Sequence, residues 1–89
     1  MTIRRRVIVR GRVQGVFYRG TCRREARSRG VNGWVRNLPD QSVEAVFEGT
    51  APSVEAMVAW ASRGPELAEV TAVDVIEEPP QGETQFRVT

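Results

Sequence analysis

Residues 9–19 read Val9-Arg10-Gly11-Arg12-Val13-Gln14-Gly15-Val16-Phe17-Tyr18-Arg19, and what this stretch joins decides the fold. Before it, Ile3, Val7 and Val9 fall on one face of an extended segment, with Arg4 and Arg6 on the other. That is a half-buried strand. After it, residues 20–29 read as a helix that carries Thr21 and Glu25 and stops at Gly30, the residue type best suited to end a helix. The stretch itself, bracketed by Gly11 and Gly15, is a turn-rich strand-to-helix junction.

Working outward, residues 31–37 form a second strand containing Gly33-Trp34-Val35, and Leu38-Pro39-Asp40-Gln41 is a turn. Val43, Ala45 and Phe47 alternate with Ser42, Glu44, Val46 and Glu48 in a third strand, hairpinned to the second. Thr50-Ala51-Pro52 opens a second helix, with Thr50 as its cap and Pro52 in its first turn. Its apolar face is Val54, Met57, Val58 and Ala61, and Gly64-Pro65 ends it. Val70 to Ile76 is a fourth strand, Pro79-Pro80-Gln81-Gly82 a loop, and residues 85–88 a short last strand with Phe86 inward. The order βαββαβ plus a short C-terminal strand is α+β. It is a ferredoxin-like split βαβ sandwich, an antiparallel sheet with two helices on one face. Such a fold hosts unrelated functions, so activity has to be argued from a site.

At 89 residues the chain holds one domain, 1–89, and 40% hydrophobic against 27% charged residues is ordinary for a soluble protein. Histidine and lysine are absent, and Cys22 is the single cysteine. That excludes histidine triads, histidine or cysteine metal clusters, Walker-type lysine loops, Schiff bases and an internal disulfide. Cys22 does not open a Cys-x5-Arg phosphatase loop, because Ser28 is the sixth residue after it. No apolar targeting stretch or membrane span follows Arg4-Arg5-Arg6, which reads as a solvated strand start. A cytoplasmic location is expected, with no metal and no cofactor.

Charge is unevenly spread. Residues 1–45 hold 11 arginines against Glu25, Asp40 and Glu44, a balance of +8; residues 46–89 hold Arg63 and Arg87 against eight acids, a balance of −6. A molecule so polarised can focus anions at its basic end, although charged faces that are merely solvated give the same count. The junction offers a place for the anion. Successive amides of Gln14, Gly15, Val16, Phe17, Tyr18 and Arg19 lead into a helix N-terminus and can present several N–H groups to one point. Arg19 adds a planar fork matched to phosphate or carboxylate. A tight glycine turn with a surface arginine is the plainer alternative.

The 9–19 stretch closely resembles the first signature of the acylphosphatases. Gly33-Trp34-Val35-Arg36-Asn37, followed by Val43 and Gly49, resembles their second. The likeness spans nearly the whole chain. Two departures stand out: Tyr18 where the family usually has Phe, and Gln41 where a hairpin glycine is usual. The resemblance implies hydrolysis of a carboxyl–phosphate anhydride to a carboxylate and inorganic phosphate by a small stand-alone enzyme. It implies that the loop amides and Arg19 hold the phosphoryl group and that Asn37 positions the attacking water. The inventory suits this chemistry. A carboxylate leaves as a stable anion without a general acid, and phosphoryl transfer needs mainly positioning and charge stabilisation. A phosphate oxygen of the substrate can take the proton of the water.

Other residues have plainer expectations. Trp34 packs in or near the core, Cys22 is a packing residue, and Arg23, Arg24, Arg27 and Arg29 form a solvated helix face. Glu77-Glu78 and the rest of the acidic half are solvated. The aromatics Phe17, Tyr18, Trp34, Phe47, Trp60 and Phe86 do not form the stacking signature of an RNA-binding module on this fold. The expected partners are an acyl phosphate and inorganic phosphate, with no nucleic acid and no membrane, for a monomer.

Overall fold

A computed structural model describes residues 1–89 as β1 (Thr2–Arg12), α1 (Tyr18–Ser28), β2 (Asn32–Asn37), β3 (Val43–Thr50), α2 (Ala51–Arg63), β4 (Glu69–Glu78) and β5 (Phe86–Val88). The strands form one sheet in the order β4-β1-β3-β2-β5. The first four strands pair antiparallel, as expected. β5 joins β2 in parallel, with Gly33 facing Phe86 and Val35 facing Val88, so the complete sheet is mixed. Both helices lie on one face, α1 over β2 and β5, α2 over β1, β3 and β4.

The core between helices and sheet follows the alternation of the strands. Val7 and Val9 of β1, Val43, Ala45 and Phe47 of β3 and Val35 of β2 are fully buried against Cys22 and Ala26 of α1 and Val54, Met57 and Ala61 of α2. Trp60 completes the α2 face, beyond the expected apolar stripe. Its ring lies 5.2 Å from that of Tyr18, and Phe47 stacks on Phe86 at 6.1 Å. Burial pushes the Cys22 thiol well above its ordinary value, so this cysteine packs and does not react. Thr50 stands at the N-cap of α2 with extended backbone, but its side chain makes no capping bond. Gly11 is not a turn residue. It sits at the irregularity between β1 and β4 with φ 125°, where a Cβ would collide with the carbonyl of Glu69.

The opposite face of the sheet corrects three expectations. Arg4 is not solvated: it is 3% exposed, directly between Glu48 and Glu78 in the strand register. Its guanidinium donates to Glu48 at 3.3 Å, Glu78 at 2.9 Å and Glu83 at 3.0 Å. The acidic half is therefore not simply solvated surface. Glu48 is buried, and Glu78 is held by Arg4 and Arg6. Trp34 lies half-buried on this face and not in the core, with the Arg6 and Arg36 guanidinia 5.8 and 5.3 Å from its ring. A strand whose outward positions carry Arg looks solvated in one dimension. Only the register shows acids from both neighbouring strands meeting it.

Glu48 does more than pair with Arg4. Its two carboxylate oxygens accept the amides of Gln81 and Glu83, both at 2.6 Å, which folds residues 79–85 back over the sheet. Burial alone would raise this carboxyl, but those two amides and Arg4 together hold it below the ordinary glutamate value. Arg6, then Arg4, likewise lower Glu78.

Candidate active site

The β1–α1 loop folds as its glycine requires. Gly15 takes φ 74° and Phe17 takes φ 61°, two left-handed residues that curl the chain before α1. Phe17 is the N-cap of α1, one residue upstream of the helix. A Cβ at Gly15 would meet no atom within 4 Å, so backbone conformation, not crowding, selects glycine there. No amide from Gln14 to Phe17 donates to another backbone group, and α1 has no side-chain cap. The first helical amides, from Tyr18 to Gly20, lack partners by the geometry of any helix start. The loop thus presents a run of unpartnered donors, the arrangement that receives anions.

Two side chains hold the loop in place. The Gln14 amide nitrogen donates to the carbonyls of Leu38 at 2.8 Å and Ser42 at 2.9 Å, tying the loop to both ends of the β2–β3 turn. Val16 is buried in the core. That turn carries the second left-handed non-glycine residue, Gln41, at φ 76°. Asp40 Oδ1 accepts the amide of Ser42 at 3.0 Å and also bonds its hydroxyl, which lowers the Asp40 carboxyl below its ordinary value.

A cavity of about 360 Å³ opens between the loop and the sheet, lined by Gly15, Phe17, Tyr18, Arg19 and Asn37 together with Val13, Gly20 and Val88. Five of the seven expected site residues thus meet there. Gln14 and Val16 do not line it; their side chains serve as the loop's fastenings. Val13, Gly20 and Val88 were not anticipated. Val88 arrives only through the parallel pairing of β5 with β2, which no local pattern announces.

Asn37 is the last residue of β2, in the row of Val43 and Val9 on the helix-bearing side of the sheet. Its Oδ1 is buried without any hydrogen-bond partner. Arg19, half-buried in the first turn of α1, makes one long contact from Nη1 to the main-chain oxygen of Thr89 at 3.4 Å and pairs with no Asp or Glu side chain. The Tyr18 side chain points away, into the core, and burial raises its hydroxyl. No group of three or more His, Cys, Asp or Glu side chains is placed to hold a metal ion, and no helix is long and apolar enough to cross a membrane.

Arginine pairing sharpens the electrostatics. Arg4, Arg5, Arg6 and Arg10 meet acids of the second half, and Arg29, Arg36 and Arg87 are also paired. Arg19, Arg23, Arg24 and Arg27 of α1 have no ion pair, so excess positive charge gathers beside the loop.

Comparison with known proteins identifies the family. The acylphosphatase family model matches residues 5–88. An acylphosphatase of Thermococcus kodakarensis is 54% identical over 86 residues, covering 97% of this chain and 94% of that protein. One from Methylococcus capsulatus is 57% identical over 83 residues, covering 92% and 90%. The crystal structure of the Bacillus subtilis acylphosphatase superposes with a TM-score of 0.94 at 34% identity, covering 100% of this chain and 99% of that one. With the family model spanning all but the ends and relatives matching at more than half of the aligned positions, the chain belongs to the acylphosphatase family and is an acylphosphatase hydrolase.

Proposed function

We propose that the loop amides of residues 14–18 and the Arg19 guanidinium hold the phosphoryl group of an acyl phosphate while Asn37 aims the attacking water. The observation that carries this reading is the buried, unpartnered Oδ1 of Asn37 in the same cavity as a run of unpartnered amides. A buried acceptor left without a donor costs about 1–3 kcal/mol. A tetrahedral anion on the amides and a water donating to Oδ1 would satisfy both sets of groups together.

In the step so supported, the water oxygen forms a bond to phosphorus and the bond from phosphorus to the acyl oxygen breaks. The bonding pair leaves with the carboxylate. One water proton passes to a phosphoryl oxygen, so an acyl phosphate dianion and water give RCOO⁻ and H2PO4⁻. No side chain has to supply or remove a proton. The amides and Arg19 act on charge that builds on the phosphoryl oxygens, in positions fixed before the reaction. The same proposal has the 89 residues acting as one domain, a cytoplasmic monomer without a cofactor. Its partner is a small molecule, not nucleic acid or membrane. The engagement of Arg4, Arg6 and Arg36 with acids on the open sheet face supports the absence of a nucleic-acid platform.

The test is to separate the two roles. Arg19→Ala should weaken competitive inhibition by inorganic phosphate and nearly abolish turnover of acetyl phosphate, and Arg19→Lys should restore little, lacking the planar fork. Asn37→Ala should lower kcat by about 10²–10³, the scale for one preorganised polar group, with phosphate inhibition nearly unchanged. Equal loss of phosphate inhibition in both variants would refute the water-positioning role.

A further inference from the structure

Four residues of four strands stand in one row across the open face of the sheet: Glu78 of β4, Arg4 of β1, Glu48 of β3 and Asn32 of β2, each the register partner of the next. The segment 79–85 leads from β4 at one edge of the sheet to β5 at the other, and it is bonded to three of the four. Arg4 donates to the Glu83 carboxylate, Glu48 accepts the amides of Gln81 and Glu83, and the Asn32 side-chain nitrogen donates to the carbonyl of Glu83 at 3.0 Å. Gly82, left-handed at φ 81°, lies between the two amides and lets both turn to one carboxylate. A bond from the Gly33 amide to the carbonyl of Gln85 at 2.9 Å then delivers the chain to β5. The segment needs this fastening because its span is slack. Eight steps from Glu78 to Phe86 can reach about 26–29 Å, whereas four strand spacings are about 19 Å.

β5 has three residues and β2 as its strand neighbour. Phe86 is anchored against Phe47 in the core, but Val88, two residues on, is only half-buried. Val88 stands opposite Val35 and so shares the helix side of the sheet with Asn37. Both line the phosphoryl cavity, in which the Asn37 Oδ1 is buried. We infer that Asn32 and Glu48 are positioning residues for hydrolysis: by holding the 79–85 strap on the open face they fix β5, and through Val88 they screen the Asn37 carboxamide from bulk water on the other face. Asn32 does not line the cavity; it lies five residues before Asn37, roughly 17 Å along β2. A carboxamide so screened keeps one orientation toward a bound water, and small misplacements of such a group are costly to the rate. The inference rests on Asn37 aiming the attacking water.

The test compares the double variant Glu48→Gln/Asn32→Ala with Val88→Ala and with a control, Val54→Ala, a core truncation in α2, which packs on β1, β3 and β4. In the double variant, amide exchange at Gln81, Glu83 and Thr89 should quicken at least about tenfold relative to β1 and β3, the scale of lost hydrogen bonds in a local opening. Its kcat on acetyl phosphate should fall about tenfold, with inhibition by inorganic phosphate nearly native, because the loop amides and Arg19 are untouched. Val88→Ala should reproduce the kcat loss with native exchange at Gln81 and Glu83, and adding it to the double variant should cost little more. Val54→Ala should lower Tm yet keep native kcat well below that Tm. If the double variant does not fold, Asn32→Ala alone, which removes one bond, should show the same separation at about two- to threefold. Unchanged exchange at Thr89, native kcat despite quickened exchange, phosphate inhibition lost in step with kcat, an additive effect of Val88→Ala, or an equal kcat loss in Val54→Ala would each overturn the inference. Full activity of Asn37→Ala would instead overturn the water-positioning reading beneath it.

Discussion

The Tyr18 hydroxyl donates a 2.8 Å hydrogen bond to the carbonyl of Ala61, joining the first turn of α1 to the last turn of α2. The helical donor for that carbonyl would be four residues on, at Pro65, which has no N–H. The hydroxyl that distinguishes this chain from the usual Phe thus answers an acceptor that its own proline orphans.

Tyr18→Phe should therefore destabilise the protein by about 1–2 kcal/mol, the cost of a buried carbonyl without a donor, and lower Tm by several degrees. A thermal melt beside the native chain measures this. An unchanged Tm would mean that the carbonyl is satisfied in another way.

Gln41 holds φ 76° in the β2–β3 turn, where a side chain is strained and glycine is not. Gln41→Gly should raise stability by up to about 1 kcal/mol, the relief of strain outweighing the added freedom of the unfolded chain. Chemical denaturation should show a higher midpoint with an unchanged slope. Destabilisation would show that the turn uses the Gln side chain.

Acid should unfold the protein through the network around Arg4. Glu48 and Glu78 have folded values below their unfolded value near 4.5. Their contribution is then present above that pH and lost as pH falls through the folded values. Stability should be level from neutral pH to about pH 5 on this account and decline below it. Glu48→Gln should cost about 2–3 kcal/mol at pH 7 and flatten the acid limb. A limb unchanged in Glu48→Gln would assign acid unfolding to other groups.

Hydrolysis should not depend on a divalent cation. No group of His, Cys, Asp or Glu side chains is placed to hold a metal, and the glutamates that do gather, around Arg4 on the open sheet face, are taken up by arginines. Acetyl phosphate turnover should be the same with and without a strong chelator. Loss with chelator and recovery with magnesium would refute the mechanism.

The elements of this fold were legible because local rules governed them: the alternation of Val43, Ala45 and Phe47, Pro52 at the start of α2, Gly30 and Gly64 at the helix ends. The site was half legible. Gly15, Phe17, Tyr18 and Arg19 lie within one loop, and Asn37 was placed by resemblance, but Val88 depends on a strand pairing across the chain. The open sheet face was misread for the same reason. Whether an outward Arg is solvated or buried depends on what the neighbouring strands carry, and for Arg4 those neighbours are Glu48 and Glu78.

The inner position of β1 also governs how the protein reaches its native state. The partners of Arg4 on either side lie 44 and 74 residues farther along the chain. Such distant closures make folding slow, on the millisecond-to-second scale rather than microseconds, which stopped-flow refolding at low concentration would measure. Until β3 and β4 arrive, β1 has two open edges, the kind of template on which other chains assemble. Arg4, Arg5, Arg6 and Arg10 then repel a second copy of the same strand, and they become neutral partners only when the acids of this chain's own later strands reach them.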